Sequence, residues 1–378
     1  MSPRPRILIS AGEASSDMYA ARLAKALRKR TDAELFGMGG PRMAEAGVEL
    51  IADYHEVAVV GIAEVLHKIP TVVRVQNRIA REAAKRGARL AILVDSPGTH
   101  LGVARRLKNH GIPVGYFIGP QVWAWRPGRV RVVKGLVNRM VVIFPFEEKI
   151  YRDAGVPVDF VGHPLVSLVH ATMSRAEFSS RHGLDSSRPV VTLLPGSRKS
   201  EMAQHYRRVM ETCARLQQSM GGRVQFVHAV APNLKHETLD SDPLAPSLQI
   251  TRVEGDTYNA LAAADCAIVA SGTATVEAAL LGTPMVIIYR VTPITAAILR
   301  PMLRTPYIGM VNLIAGRQVA VELVQNAFTP AAVEAEVRRL LESEQACAEA
   351  KVALAEVRAK MGPGGAIERA ADIFARMM

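Results

Sequence analysis

Short apolar runs, each closed by a turn of small residues and followed by a longer amphipathic stretch, recur along this chain and restrict it to a parallel α/β architecture. Residues 7–10, 34–37, 90–95, 114–118, 140–144 and 159–162 read as strands, with helical patterns over 17–29, 99–110 and 146–154 between them. Strands that are apolar on both faces belong in parallel sheets covered by helices on both sides. The same grammar restarts at 190–194 and continues through 224–230, 248–253, 267–270 and 285–289. Two doubly wound, Rossmann-like domains are therefore expected, and 378 residues is long for a single core. His163-Pro164 and the polar stretch 174–188 interrupt the pattern, which places the domains at 1–165 and 188–330. From Pro330 onward the chain is rich in Ala, Glu, Arg and Leu, so 331–378 reads as helices packing back toward the first domain or a partner subunit. Ligands of such sheets bind beyond the carboxyl ends of the strands, so two facing domains offer a cleft with one ligand on each side.

Charge narrows the partner. A formal net charge of +12 calls for something anionic: nucleic acid, acidic lipid or a phosphorylated substrate. No aromatic and basic RNA-binding signature is present, so nucleic acid is not expected. The three cysteines, Cys213, Cys266 and Cys347, lie far apart without Cys-x-x-Cys spacing, which indicates neither a disulfide framework nor a zinc site and suits a reducing cytoplasm. The apolar stretch after Arg4 and Arg6 is too short for a signal-peptide core, and no uncharged run reaches the roughly 20 residues of a spanning helix. A soluble or peripheral protein is expected.

The most informative turn is Ser271-Gly272-Thr273-Ala274, which follows the apolar run 266–270 and opens a segment of helix formers. Strand, small turn and helix in that order point unpaired amides and a positive dipole end at an anion. Glu277 lies one helical turn beyond Thr273, where a carboxylate can accept from both hydroxyls of a ribose. The plain alternative is an ordinary turn with a solvated Glu277. Leu194-Pro195-Gly196-Ser197-Arg198 closes another strand of the same domain: Gly196 admits close backbone approach, Ser197 donates, and Arg198 offers a planar fork. Together the two turns form a candidate diphosphate clamp.

In the first domain, Ser10 to Asp17 also joins a strand to a helix, but lacks the Gly-x-Gly-x-x-Gly and Gly-Lys-Ser/Thr patterns, which disfavours an NAD enzyme or an NTPase. Glu13 either meets a sugar hydroxyl or caps that helix. Asp95 ends a strand ahead of Ser96-Pro97-Gly98, where a partly desolvated carboxylate can take a proton from an attacking hydroxyl, and His100 is a rival base. Both tryptophans, Trp123 and Trp125, precede Arg126 in a Pro-bounded loop, a candidate platform for a sugar ring or acyl chain. The segment 61–74, beside Lys68 and Arg74, and the segment 294–303, flanked by Arg290, Arg300 and Arg304, suit either a membrane interface or a core-facing helix. Asp240-Ser241-Asp242 sits among prolines and reads as a solvated turn, so no metal is expected.

Gly12-Glu13-Ala14-Ser15 with Asp17, Gly39-Gly40-Pro41-Arg42-Met43, Val122 to Arg126, Gly162-His163-Pro164, Leu194 to Arg198, Ser271 to Ala274 with Glu277, and Asn312-Leu313-Ile314-Ala315-Gly316 stand in the order found in lipid-A-disaccharide synthases, which the chain resembles from Ile7 to Gln325. The resemblance implies a GT-B glycosyltransferase with inverting transfer from UDP-2,3-diacylglucosamine to O6 of 2,3-diacylglucosamine 1-phosphate, and no cofactor. It makes Asp95 the candidate base, and Glu13 stands as a second candidate catalytic residue. Ser197 and Arg198 become the diphosphate loop, Ser271, Gly272 and Thr273 its opposite wall, and Glu277 a ribose ligand, with Asn312 and Gln325 further polar positions near the nucleotide. It also implies peripheral attachment to the cytoplasmic face of the inner membrane and, in some members, a homodimer that exchanges C-terminal helices. The family usually reads Asp-Ser/Ala-Pro-Asp-Phe-Asn where this chain has Asp95-Ser96-Pro97-Gly98-Thr99-His100, so His100 stands where a second polar support is usual. The alternative is another UDP-N-acetylglucosamine-dependent GT-B transferase or an epimerase.

Overall fold

A computed structural model of the chain describes residues 4–57, 62–120, 128–231, 234, 242–244, 247–299 and 305–378. Two compact units emerge: residues 1–164 with 362–378, and residues 165–361. Each is built on one parallel sheet.

In the first unit, β1 (Arg6–Ala11), β2 (Glu34–Gly39), β3 (Glu49–Asp53), β4 (Leu90–Val94), β5 (Val114–Phe117), β6 (Arg139–Val142) and β7 (Val158–Phe160) lie in the order β3-β2-β1-β4-β5-β6-β7. The order reverses between β1 and β4, whose residues pair in register from Ile7↔Leu90 to Ala11↔Val94. Leu8, Leu93, Tyr116 and Met140 are buried on one sheet face and Ile7, Ile9, Ile92 and Phe117 on the other, so these runs carry no polar alternation. The final helix, Ala366–Ala375, belongs to this unit and packs on the helix Ala14–Arg28. Its Phe374 is fully buried edge-on to Phe117, ring centroids 6.4 Å apart, and Asp372 pairs with Arg30. Burying one such aromatic ring contributes about 2–3 kcal/mol to holding the C-terminal helix in place.

The second unit holds β8 (Val190–Leu194), β9 (Gln225–Val230), β10 (Ile250–Glu254), β11 (Cys266–Ala270), β12 (Met285–Tyr289) and β13 (Val321–Val324), ordered β10-β9-β8-β11-β12-β13. Here the reversal lies between β8 and β11, paired from Cys266↔Val191 to Val269↔Leu194. Val209, Cys213 and Leu216 of the helix Lys199–Ser219 pack with Val333 and Val337 of the helix Pro330–Glu342 over one sheet face. The stretch 174–188, read from its polarity as a break between domains, instead contains a helix, Arg175–His182. Ser174 caps it and Arg175 is fastened to Asp265 at 2.6 Å, so its polar residues are consumed by local bonds.

Two strands carried no apolar run. Glu-Leu-Ile-Ala-Asp of β3 and Val-Glu-Leu-Val of β13 are short and partly exposed edge strands. An edge strand needs only one covered face, so its charged ends dilute the pattern that marks buried strands.

Candidate active site

The first unit gathers its polar groups at the C-terminal ends of β1 and β4. Beyond the pair Ala11↔Val94, the chain continues as Gly12-Glu13 on one side and Asp95-Ser96 on the other. Asp95 and Ser96 both adopt left-handed backbone, φ 52° and 49°, conformations that non-glycine residues hold only when their surroundings impose them. The imposition is visible. The Asp95 carbonyl accepts from the Tyr116 hydroxyl at 2.7 Å and from His100 Nδ1 at 2.7 Å, while His100 Nε2 accepts from the Ser10 hydroxyl at 2.9 Å. A Cβ on Gly12 would meet the Ser96 Cβ at 2.6 Å, so glycine there is what lets the two turns approach.

This arrangement assigns different work to the two rival bases. His100 is fully buried, both ring nitrogens are bonded, and burial pushes it down to about 4, so it stays neutral and holds Asp95 in place. Asp95 is pushed up to about 7, first by burial and then by the negative charge of Glu13, with only the Ser96 amide opposing. A carboxylate titrating near neutrality is poised to accept a proton. Glu13 itself is exposed and accepts from Ser15, while the Ser16 hydroxyl receives the amides of Gly12 at 3.1 Å and Glu13 at 3.0 Å. Glu13 thus bounds the helix Ala14–Arg28 and also charges the site.

Asp17 ties two of the sequence motifs together. Its buried carboxylate accepts from the amides of Gly40 (2.7 Å), Arg42 (3.1 Å) and Met43 (3.3 Å), capping the helix Pro41–Glu45 from across the sheet end. Asp17→Ala leaves three amides without an acceptor and is expected to lower unfolding free energy by about 3 kcal/mol, measured by urea denaturation. A loss under about 1 kcal/mol would show that the cap is dispensable.

In the second unit, the two candidate diphosphate turns leave the C-terminal ends of adjacent strands, β8 and β11, just past Leu194↔Val269. Gly196 sits at φ 147°, and a Cβ there would meet the Glu201 side chain at 2.6 Å. Glu201 accepts from the Ser197 amide at 2.9 Å and the Arg198 amide at 3.3 Å, and its other oxygen lies 3.3 Å from the Arg198 guanidinium. The Arg198 side chain is 66% exposed, so most of its fork faces solvent. Opposite, Gly272 precedes the helix Thr273–Leu280, whose first amides have no intrahelical partner. Ser271 donates to the Ile308 carbonyl at 2.9 Å, which anchors the turn. Glu277 accepts from the Tyr258 hydroxyl at 3.2 Å, and burial raises it above the usual carboxylate range.

Against this geometry, the comparisons with known proteins are unambiguous. A family model described as lipid-A-disaccharide synthetase matches residues 7–374. A lipid-A-disaccharide synthase of Myxococcus xanthus is 43% identical over 373 residues, covering 98% of this chain and 97% of that protein. One from Syntrophus aciditrophicus is 44% identical over 370 residues, covering 97% and 96%. The chain belongs to the lipid-A-disaccharide synthase family. It is accordingly a GT-B glycosyltransferase of lipid A synthesis. Among solved structures, the fold is shared with MurG of Acinetobacter baumannii (TM-score 0.60, 13% identity, 99% and 100% coverage) and with a putative UDP-N-acetylglucosamine 2-epimerase of Listeria monocytogenes (TM-score 0.64, 13% identity, 97% and 95% coverage).

Asn312, read as a polar position near the nucleotide, braces a loop in this structure. Asn312 is fully buried. Its oxygen accepts from the Val319 and Ala320 amides, and its nitrogen donates to the Ala320 carbonyl and, at 2.7 Å, to Glu322. Glu322 in turn receives the Ile308 and Gly309 amides, which shapes the segment that anchors Ser271. Gln325 stands just past β13 at φ 54°, half-buried. Glu201, Tyr258, Glu322 and His205 were not singled out from sequence. Only Glu201 had a local signal, a glutamate three residues past a helix N-cap. Trp123, Trp125, Arg126, Asp240 and the segment 300–304 lie outside the described residues. Asp242 accepts from the Leu244 amide at 2.9 Å, as a turn aspartate does, but it is buried rather than solvated.

Proposed function

We propose that the chain transfers a diacylglucosaminyl unit from UDP-2,3-diacylglucosamine to O6 of 2,3-diacylglucosamine 1-phosphate, with inversion, giving the β-1,6-linked disaccharide 1-phosphate and UDP. The acceptor hydroxyl gives its proton to Asp95 as its oxygen bonds to the anomeric carbon. The bond from that carbon to the diphosphate oxygen breaks with its electron pair leaving on UDP. Arg198, Ser197 and the amides at Thr273 meet the charge that builds on the leaving diphosphate, a task for preorganised donors that needs no metal. Glu277 holds the ribose hydroxyls. Asn312 acts through the loop it braces, and Glu201 keeps the Ser197-Arg198 turn in shape.

The observation that carries this reading is the strained Asp95 turn, whose carboxylate titrates near 7 at a sheet's carboxyl edge. Incubating the protein with both acylated sugars and no added divalent metal, then resolving products by mass spectrometry, tests it. A free epimerised sugar or a different glycoside would overturn the assignment. The epimerase alternative is not favoured, because the family match spans residues 7–374 whereas the likeness to epimerases, at 13% identity, concerns the fold.

Glu13 supplies a second test. Its charge raises Asp95, so Glu13→Gln should move the acid limb of kcat/KM to lower pH, by about half a unit to one unit. An unmoved limb would separate Glu13 from the base.

Attachment to the inner membrane's cytoplasmic face belongs to the same proposal. No helix among the described residues is long and apolar enough to cross a membrane. On the helix Ile62–Lys85, Ile69 and Val73 are exposed, at 49% and 39%, which suits shallow insertion beside cations. Sedimentation with anionic vesicles checks this, as retention in the supernatant would count against it.

A further inference from the structure

His205, on the helix Lys199–Ser219, is fully buried. Its Nδ1 lies 2.6 Å from the Pro195 carbonyl, and its Nε2 lies 2.9 Å from the Arg290 amide and 3.0 Å from the Arg290 carbonyl. One neutral tautomer satisfies the two shorter contacts: Nδ1–H donates to Pro195 while Nε2 accepts from the Arg290 amide. Burial lowers the pKa and favours that neutral state. The rings of Phe328 and Tyr289 wall the imidazole at 5.7 Å and 6.0 Å.

Each partner leads to a different part of the donor pocket. Pro195 begins the turn that carries Ser197 and Arg198. Arg290 follows β12 and Gln325 follows β13, immediately beyond the register pair Tyr289↔Val324. The Arg290 guanidinium donates to the Gln325 carbonyl at 2.9 Å. Gln325 is there in left-handed backbone, φ 54°, a conformation a glutamine keeps only when its neighbours impose it. The described side-chain bond of Arg290 is the one to Gln325.

We infer that His205 and Arg290 form a brace that sets the diphosphate turn and the Gln325 turn relative to each other, making both positioning residues for the sugar-nucleotide donor. The inference rests on the reading of those two turns as donor contacts. It assigns the brace to the donor alone, because the acceptor-side carboxylates belong to the other unit.

Arg290→Met is the discriminating variant, since it removes the guanidinium but keeps the backbone amide that His205 receives. UDP affinity by calorimetry, KM for each substrate, kcat and the melting temperature are measured on the full chain. Arg290→Met is expected to weaken UDP binding and raise donor KM by about tenfold, with acceptor KM within about twofold of wild type and the melting temperature nearly unchanged. Arg290→Lys, whose ammonium can still reach the Gln325 carbonyl, should recover part of the loss. His205→Leu should show the same donor-selective change on top of a lower melting temperature. Unchanged donor KM and UDP affinity in Arg290→Met would overturn the brace, as would equal losses in both KM values. A wild-type protein that binds no UDP would overturn the functional reading itself.

Discussion

Asp95→Asn is expected to lower kcat by about 10²–10⁴-fold while leaving UDP affinity close to wild type, because the amide keeps the shape of the turn and cannot take the acceptor's proton. The same change should stabilise the fold. The carboxyl titrates near 7 in the folded chain against an ordinary value of 3.8, so the folded state favours the protonated form. Stability from this group is complete below about pH 4 and is lost as pH rises through 7, where burial and Glu13 penalise the charge. Asparagine carries no charge and tolerates φ near 52°. At pH 8 the variant should therefore unfold about 1–2 kcal/mol later than wild type, allowing for water at a half-buried carboxylate, and the difference should vanish near pH 4. A wild-type kcat/KM profile with an acid limb near pH 7, absent from the residual activity of Asp95→Asn, would complete the case. Near-normal turnover in the variant would move the base elsewhere.

Glu277→Ala is the second large effect. A carboxylate receiving two ribose hydroxyls makes charge-assisted hydrogen bonds worth about 1.5–3 kcal/mol together, so UDP should bind about 10–150-fold more weakly. Burial raises Glu277 above the ordinary carboxylate range, with the Tyr258 hydroxyl opposing that rise. Wild-type UDP affinity should then fade on the acid side at a higher pH than a solvated glutamate would give, and Tyr258→Phe should push that fade higher still. Calorimetry across pH measures both. Unaltered UDP affinity in Glu277→Ala would remove the residue from the donor pocket.

The two effects separate base from donor pocket, and their legibility in sequence differed. The turns themselves were readable. An apolar run, a glycine or serine and then helix formers can do little but end a parallel strand at a helix start, and this placed Asp95, Arg198 and Thr273 beyond the carboxyl ends of strands. The ordered motifs identified the family, which the match over 7–374 shows. The rivalry between Asp95 and His100 could not be read. What separates the two side chains is which atoms of His100 meet Ser10 and the Asp95 carbonyl, partners that lie in other elements.

Period and turn chemistry are written locally, so the sequence alone determined the alternation of elements, the doubly wound class of each sheet and the places where strands stop. Tertiary structure alone decided that the 174–188 stretch joins the second unit, that Asn312 braces a loop, that the last helix returns to the first unit, and that Asp95 is held with φ positive. The placement of the 174–188 stretch and of the last helix depends on a hydrogen bond or buried ring whose two halves are far apart in the chain, as Arg175 is from Asp265 and Phe117 from Phe374. The energy of such contacts exists only after the sheet has brought the partners together, and no window of neighbouring residues contains it.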